Sequence, residues 1–136
     1  MNKQKSLKKQ LGSRYTFVTC VTKSDILRLR RQNPSTVSDT LVASLTVGCL
    51  RIDAVLYPAA TGVILGYDLF VKDCPDSPDW ICYDNLPDPV EVDSGLAERE
   101  MFRVLDRCAE EKGLSYTECN FETVSGKTPR QDKSGK

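Results

Sequence analysis

The chain has 136 residues, a length that accommodates one domain of ordinary size. Its 19 basic and 19 acidic side chains cancel, and hydrophobic residues make up 40% of the sequence, which is typical of a globular protein. The chain contains no histidine. That excludes histidine-containing metal sites and the Ser–His or Cys–His pairs of nucleophilic catalysis.

The basic N-terminal segment lacks the apolar stretch of a signal peptide. No run reaches the roughly 18 apolar residues needed to span a bilayer, because Arg51 and Asp53 interrupt the longest one. We therefore expect a cytoplasmic protein with no membrane partner. Residues 1–13 are predicted to form a basic arm, which is either frayed or wound into one helical turn by Leu7 and Leu11.

Six cysteines are scattered along the chain without any Cys-x-x-Cys spacing, so a zinc-ribbon or thioredoxin-type motif is absent. In a cytoplasmic protein we expect these thiols to be reduced. Cys74 and Cys82 bracket a loop, and whether they pair is left open. We predict neither a metal site nor a cofactor.

Residues 14–124 are predicted to form a single α+β domain. The alternation in Tyr15–Thr22 is typical of a strand. The capping-box spacing of Thr22 and Asp25 then predicts a helix that ends before Pro34.

Residues 35–48 fit two patterns, an apolar stripe at helical spacing and the alternation of a strand. The Pro-Ser-Thr start favours a helix as far as Val47. Leu50–Tyr57 and Val63–Lys72 are predicted to form an antiparallel pair, because a short turn containing proline and glycine separates two apolar runs.

Residues 73–95 form an acidic loop in this interpretation, since four prolines break regular structure and only Trp80–Tyr83 fits a short strand. Leu96–Lys112 shows the clearest helical stripe in the chain. Leu114–Glu122 is predicted to be a last strand, and residues 125–136 a flexible polar tail.

These elements predict a sandwich, in which a mainly antiparallel sheet packs against two or three helices. Its best match is the ferredoxin-like βαββαβ order. No spacing in the sequence indicates a nucleophile with a matching base, so we do not predict an enzyme.

Charge is polarised along the chain although the total is zero. Residues 1–31 contain nine basic side chains and one acidic one, whereas residues 68–93 contain eight acidic side chains and one lysine. Such charges are either solvated, paired with one another across the fold, or part of two surfaces that bind partners.

The first hypothesis is a protein-binding module that uses the acidic loop, as a small inhibitor or adaptor, for example one encoded by a mobile element. Aromatic anchors inside a charged rim are typical of a binding hot spot for a partner with a basic surface. The candidate partner-binding residues are Asp76, Asp79, Trp80, Tyr83, Asp84 and Asp88.

The alternative is a nucleic-acid-binding protein that uses the basic segment 3–31, because phosphate contacts require clustered lysine and arginine. Against it, the whole chain is neutral and its isoelectric point is about 6.3. The candidate residues for this role are Lys8, Lys9, Arg28, Arg30 and Arg31.

Overall fold

The computed structural model describes residues 2–72, 77–86 and 88–117. These residues form an α+β fold, in which a five-stranded antiparallel sheet carries four helices on one face. The strands are β1 (Tyr15–Thr19), β2 (Thr40–Val47), β3 (Leu50–Ala59), β4 (Gly62–Val71) and β5 (Ile81–Leu86). The helices are α1 (Lys3–Leu11), α2 (Lys23–Arg30), the single turn α3 (Val92–Gly95) and α4 (Glu98–Lys112).

The strands follow one another across the sheet in the order β1-β2-β3-β4-β5. The ferredoxin-like order is therefore not confirmed. The difference arises at β2, which forms where a helix was favoured, and it lies between β1 and β3 with antiparallel pairing on both sides. A central strand gains backbone hydrogen bonds from two neighbours, and that tertiary gain outweighs a local pattern that fitted both structures.

The hydrophobic core lies between the sheet and the helices. On β2, β3 and β4, alternate residues face the helices and are fully buried; they include Leu45, Ile52, Leu56, Leu65 and Leu69. The helices contribute Ile26 from α2 and Met101 and Leu105 from α4, each with no exposed surface. The apolar stripe predicted for α4 is confirmed, and Gly113 ends this helix at a φ of 68°.

The N-terminal residues form a regular helix rather than a frayed arm. The Asn2 side chain caps α1 by accepting hydrogen bonds from the backbone N–H groups of Gln4 and Lys5, at 2.8 Å and 3.2 Å. Leu7 is 8% exposed and belongs to the core. This helix is longer than the single turn considered from the sequence. A capped helix gains stability from packing a leucine into the core.

Three other predicted features are present in the structure, one of them with different bounds. The capping box of Thr22 and Asp25 is present in both directions at the start of α2. The β3–β4 pair is also confirmed, with a register that runs from Leu50 opposite Val71 to Ala59 opposite Gly62. The short strand predicted in the acidic loop becomes the six-residue β5.

The strand predicted for Leu114–Glu122 is not found in residues 114–117, and the rest of it lies outside the described residues, as do residues 125–136.

Cys20, Cys82 and Cys108 carry free thiols, which answers the question of pairing left open for Cys82. Cys49 is disulfide-bonded, so the expectation of a reduced thiol is wrong at that position. Among the described helices, none combines the length and the apolar character required to cross a membrane.

Candidate partner-binding groove

The three described acidic residues that were predicted to bind a partner do not form one cluster. Asp79 and Asp88 are exposed beyond the two ends of β5. Asp84 lies within β5 and is engaged, since its Oδ2 is 3.1 Å from the Lys112 Nζ on α4. Asp76 lies outside the described residues.

The two aromatic candidates, Trp80 just before β5 and Tyr83 within it, are half-buried and contact cations of the domain. The Trp80 ring has the Lys72 ammonium 4.6 Å and the Arg51 guanidinium 5.1 Å from its centroid. The Tyr83 ring lies 5.8 Å from the Lys112 ammonium. Both rings therefore contact cations of the same chain, and neither is fully exposed to solvent.

A groove with a volume of about 370 Å³ lies between α4 and the chain that follows β5. Its apolar side chains come from β4, β5, the segment after β5 and α4, and they are Tyr67, Leu86, Pro89, Val90, Val104 and Cys108. Charged side chains of both signs surround them: Asp88, Glu91, Glu100 and Glu111 with Arg103, Arg107 and Lys112. The acidic loop thus contributes one wall of a groove, through Asp88 and Glu91.

Three contacts set the width of the groove. The backbone N–H of Val90 donates to the Leu65 carbonyl at 2.7 Å, which holds residues 88–91 against β4. The Tyr67 hydroxyl donates to the Ser94 carbonyl at 3.2 Å and so ties β4 to α3. The ion pair between Lys112 and Asp84 joins α4 to β5.

Two titratable groups among the apolar side chains of the groove, the Cys108 thiol and the Tyr67 hydroxyl, are affected by burial. Burial raises the pKa of the Cys108 thiol and raises the pKa of Tyr67 to about 12. Reactive cysteines instead have a lowered pKa, which supplies the thiolate. Within the described ranges, no three side chains of the His, Cys, Asp and Glu types gather as metal ligands.

The basic residues of the alternative hypothesis divide into two groups. Lys8 Nζ lies 2.9 Å from Glu98 and Arg28 Nη2 lies 3.3 Å from Asp25, so both charges are paired. The remaining three are exposed: Lys9, Arg30 and Arg31.

Within the described residues, the two oppositely charged segments of the sequence meet where Lys23 Nζ lies 2.8 Å from Asp93. Part of the charge polarity is therefore neutralised within the fold, as one of the sequence interpretations allowed. Nucleic-acid binding by the exposed cations Lys9, Arg30 and Arg31 stays a prediction.

Sequence reasoning missed the α4 wall of the groove. Arg103 and Arg107 are four residues apart and thus lie on one side of the helix, which is a readable pattern. Nothing local indicates that this side faces residues 88–91, because that approach depends on how β4 and α4 pack. No family model, curated protein or solved structure matches this chain.

Proposed function

We propose that this protein is a non-enzymatic protein-binding module, an inhibitor or adaptor, which recognises a partner with a basic surface through the groove between α4 and residues 88–91. The observation that carries the proposal is the composition of the groove, apolar inside and charged at its margin. A desolvated apolar centre within a polar rim is the usual anatomy of a protein interface.

The exposed carboxylates supply the electrostatic part of recognition. Asp88 lines the groove, and Asp79 lies beyond the other end of β5. Both are solvent-exposed, and neither forms an ion pair with a cation of the described residues. Carboxylates at the margin of an interface accelerate encounter with a basic surface, and this effect weakens as salt screens the charges. The partner therefore presents lysine or arginine beside an apolar side chain.

The structure changes the part that the aromatic residues play in this proposal. Because Trp80 and Tyr83 are packed under cations of the same chain, the anchor comes from the partner. An apolar side chain of the partner enters the groove and contacts Val90 and Val104, while Trp80 and Tyr83 hold the acidic wall in place.

The state of the groove side chains supports binding rather than catalysis. The Cys108 thiol and the Tyr67 hydroxyl are both protonated at neutral pH, because burial raises their pKa values. A covalent mechanism needs a thiolate or an activated hydroxyl, and a general base needs a pKa near the working pH.

The test compares three immobilised proteins in capture from a lysate of cells that encode the chain. The variant Asp79→Lys/Asp88→Lys reverses the two exposed carboxylates, and Asp39→Lys reverses an exposed carboxylate that does not line the groove and lies in the depression beside Tyr57. We expect a protein that the wild type and Asp39→Lys retain and the double variant loses.

The captured protein is then purified and titrated against the same three proteins at low and high salt. We expect the affinity of the double variant to fall on the order of tenfold or more, with a smaller difference at high salt. Equal affinity of all three proteins would contradict the proposal. A third variant, Val90→Lys, tests the groove itself and should weaken binding at both salt concentrations.

A further inference from the structure

Among the described residues, the sheet has two edge strands, β1 and β5, and only β5 has features that protect an edge against pairing with another chain. In β5 an extra residue, Tyr83, interrupts the register with β4, and Asp84 adds a charge. Bulges and charges are the usual devices that protect an edge. In contrast, β1 pairs with β2 in an unbroken register and contains only tyrosine, phenylalanine, valine and threonine.

The outer edge of β1 presents backbone groups that no other part of the described chain pairs with. The Arg14 carbonyl accepts from the Gly48 N–H at 2.9 Å, and the Cys20 N–H donates to the Val42 carbonyl at 2.7 Å. Because hydrogen bonds in an antiparallel pair recur at alternate residues, the odd-numbered residues of β1 point their N–H and C=O groups away from β2.

These outward groups belong to Tyr15, Phe17 and Thr19. The Tyr15 N–H donates to the Gly12 carbonyl, and no other backbone hydrogen bond reaches these outward groups from the described residues. The edge therefore offers the Tyr15 carbonyl and both groups of Phe17 and Thr19.

The side chains of this edge are also uncovered. Val18 is 52% exposed, the largest value among the exposed large hydrophobic side chains of the described chain. It lies opposite Ser44, on the sheet face that carries no helix, and Thr16 is exposed on the same face. Phe17 lies on the helix-bearing face and is half-buried.

We propose that β1 pairs antiparallel with β1 of a second copy of this chain, about a two-fold axis at Phe17, so that the two sheets join into one. In this register Phe17 exchanges two hydrogen bonds with its counterpart. The Thr19 N–H donates to the Tyr15 carbonyl of the other copy on each side of the axis. Val18 faces Thr16 of the second copy, a favourable β-branched pair.

A second copy fits this edge because β1 carries no charge. Two-fold self-pairing brings two identical strands side by side, so a charged strand such as β5 would bring like charges together, whereas β1 has no charge to bring. A two-fold contact is closed, so it stops at the dimer and leaves no exposed β1 edge. Since β5 and the groove lie at the opposite edge of the sheet, the dimer leaves both grooves open.

The first experiment is sedimentation equilibrium of the full chain. A contact of this length is small, so the concentrations extend from about 1 µM to about 1 mM. We expect a reversible dimer of the wild type whose dissociation constant changes little with salt. A monomer over the whole range would overturn the proposal.

Two substitutions target the edge, and a third is their matched control. Val18→Lys places like charges near the axis. Thr19→Pro removes the outward N–H, and an edge strand accommodates proline where that N–H points away from the neighbouring strand. Ile81→Lys puts the same charge at a similarly exposed position beside the other edge.

We expect Val18→Lys and Thr19→Pro to weaken the dimer on the order of tenfold or more, and Ile81→Lys to leave it unchanged. Circular-dichroism melting identifies a variant that fails to fold. If one of the two edge variants does so, the dissociation constant of the other variant is the test. An equal loss with Ile81→Lys would overturn the assignment of the interface to β1.

Cysteine cross-linking then tests the register, in a Cys20→Ser background that removes the exposed thiol nearby. The pair Thr16→Cys/Val18→Cys brings the two new thiols of different copies opposite each other, at a position without hydrogen bonds where the strands approach most closely. We expect a covalent dimer from the double variant and none from Val18→Cys alone. The reverse result would exclude an axis at Phe17.

Discussion

The Tyr15 hydroxyl donates a hydrogen bond to Glu98 Oε2 at 2.9 Å and so joins β1 to the start of α4, 83 positions later in the chain. The same oxygen accepts from Gln4 Nε2 at 3.1 Å and lies 2.9 Å from Lys8 Nζ, both on α1. One carboxylate oxygen thus holds three elements together. Burial raises the pKa of Glu98, but the hydrogen bonds from Lys8 and Tyr15 outweigh it, and the net shift is downward.

Replacement of Glu98 by glutamine should lower the free energy of unfolding at neutral pH by on the order of 1–3 kcal/mol, since hydrogen bonds to a charged group are lost. A lowered pKa in the folded state contributes stability above the ordinary value of 4.5, and that contribution is lost as the pH falls below it. In urea unfolding, the difference in the free energy of unfolding between wild type and variant should therefore be smaller in acid than at neutral pH. Glu100→Gln, which affects an exposed pair with Arg103, is the control and should cost little.

Arg51 and Asp53 form a forked ion pair on the sheet face that carries no helix. Arg51 Nε and Nη2 each donate to an Asp53 oxygen at 3.0 Å, and the Ser44 hydroxyl donates to Asp53 Oδ1 at 2.6 Å. The Asp53 side chain is only 8% exposed. Arg51→Ala leaves this buried carboxylate without its cation, and we expect a loss of about 3–5 kcal/mol.

Chemical denaturation measures the loss, with Arg103→Ala as the control, because its pair with Glu100 is exposed and should contribute about 0–1 kcal/mol. Arg51→Ala also removes the cation that lies 5.1 Å from the Trp80 ring centroid. Tryptophan fluorescence should therefore change in the folded variant. A native spectrum and native stability together would show that the pair contributes nothing.

Gly48 lies in the turn between β2 and β3, at a φ of +63°. A Cβ atom at this position would collide with the Tyr116 carbonyl oxygen, which accepts from the neighbouring Cys49 N–H at 3.0 Å. Gly48→Ala therefore adds a steric clash to the roughly 1–2 kcal/mol cost of a left-handed residue.

Gly12→Ala is the matched control for that substitution. Gly12 has a similar φ of +55°, but a Cβ atom there meets nothing within 4 Å. In thermal unfolding we expect Gly48→Ala to lower the melting temperature clearly more than Gly12→Ala. Equal losses would mean that Tyr116 moves aside at no cost.

Tyr67 should make the stability of the fold sensitive to alkali. Its pKa is raised to about 12 by burial, from an ordinary value of 10.0. A raised pKa contributes stability that is complete below pH 10 and is lost as the pH rises toward 12. Tyr67→Phe should therefore lose less stability over that interval than the wild type does, as urea unfolding at several pH values would show. Parallel curves for the two proteins would contradict this expectation.

Several elements of this protein follow from local sequence alone. The capping box at Thr22 and Asp25, the antiparallel pair β3–β4 and the apolar stripe of α4 are all found as predicted. Each depends on interactions among residues close in the chain, such as a cap, a short turn or one face of a helix. Such interactions leave a readable pattern whatever the rest of the fold does.

Tertiary structure decided three other features: the strand β2, the contacts of Trp80 and the groove. The physical reason is the same in each case. Residues 40–47 became a strand because β1 and β3 lie on either side of them. The Trp80 ring became a structural contact because Arg51, 29 positions earlier in the sequence, lies beside it. The groove exists because Val90 pairs with Leu65 opposite α4. Pairing and packing between distant residues depend on the whole arrangement of the sheet, and no local period encodes them.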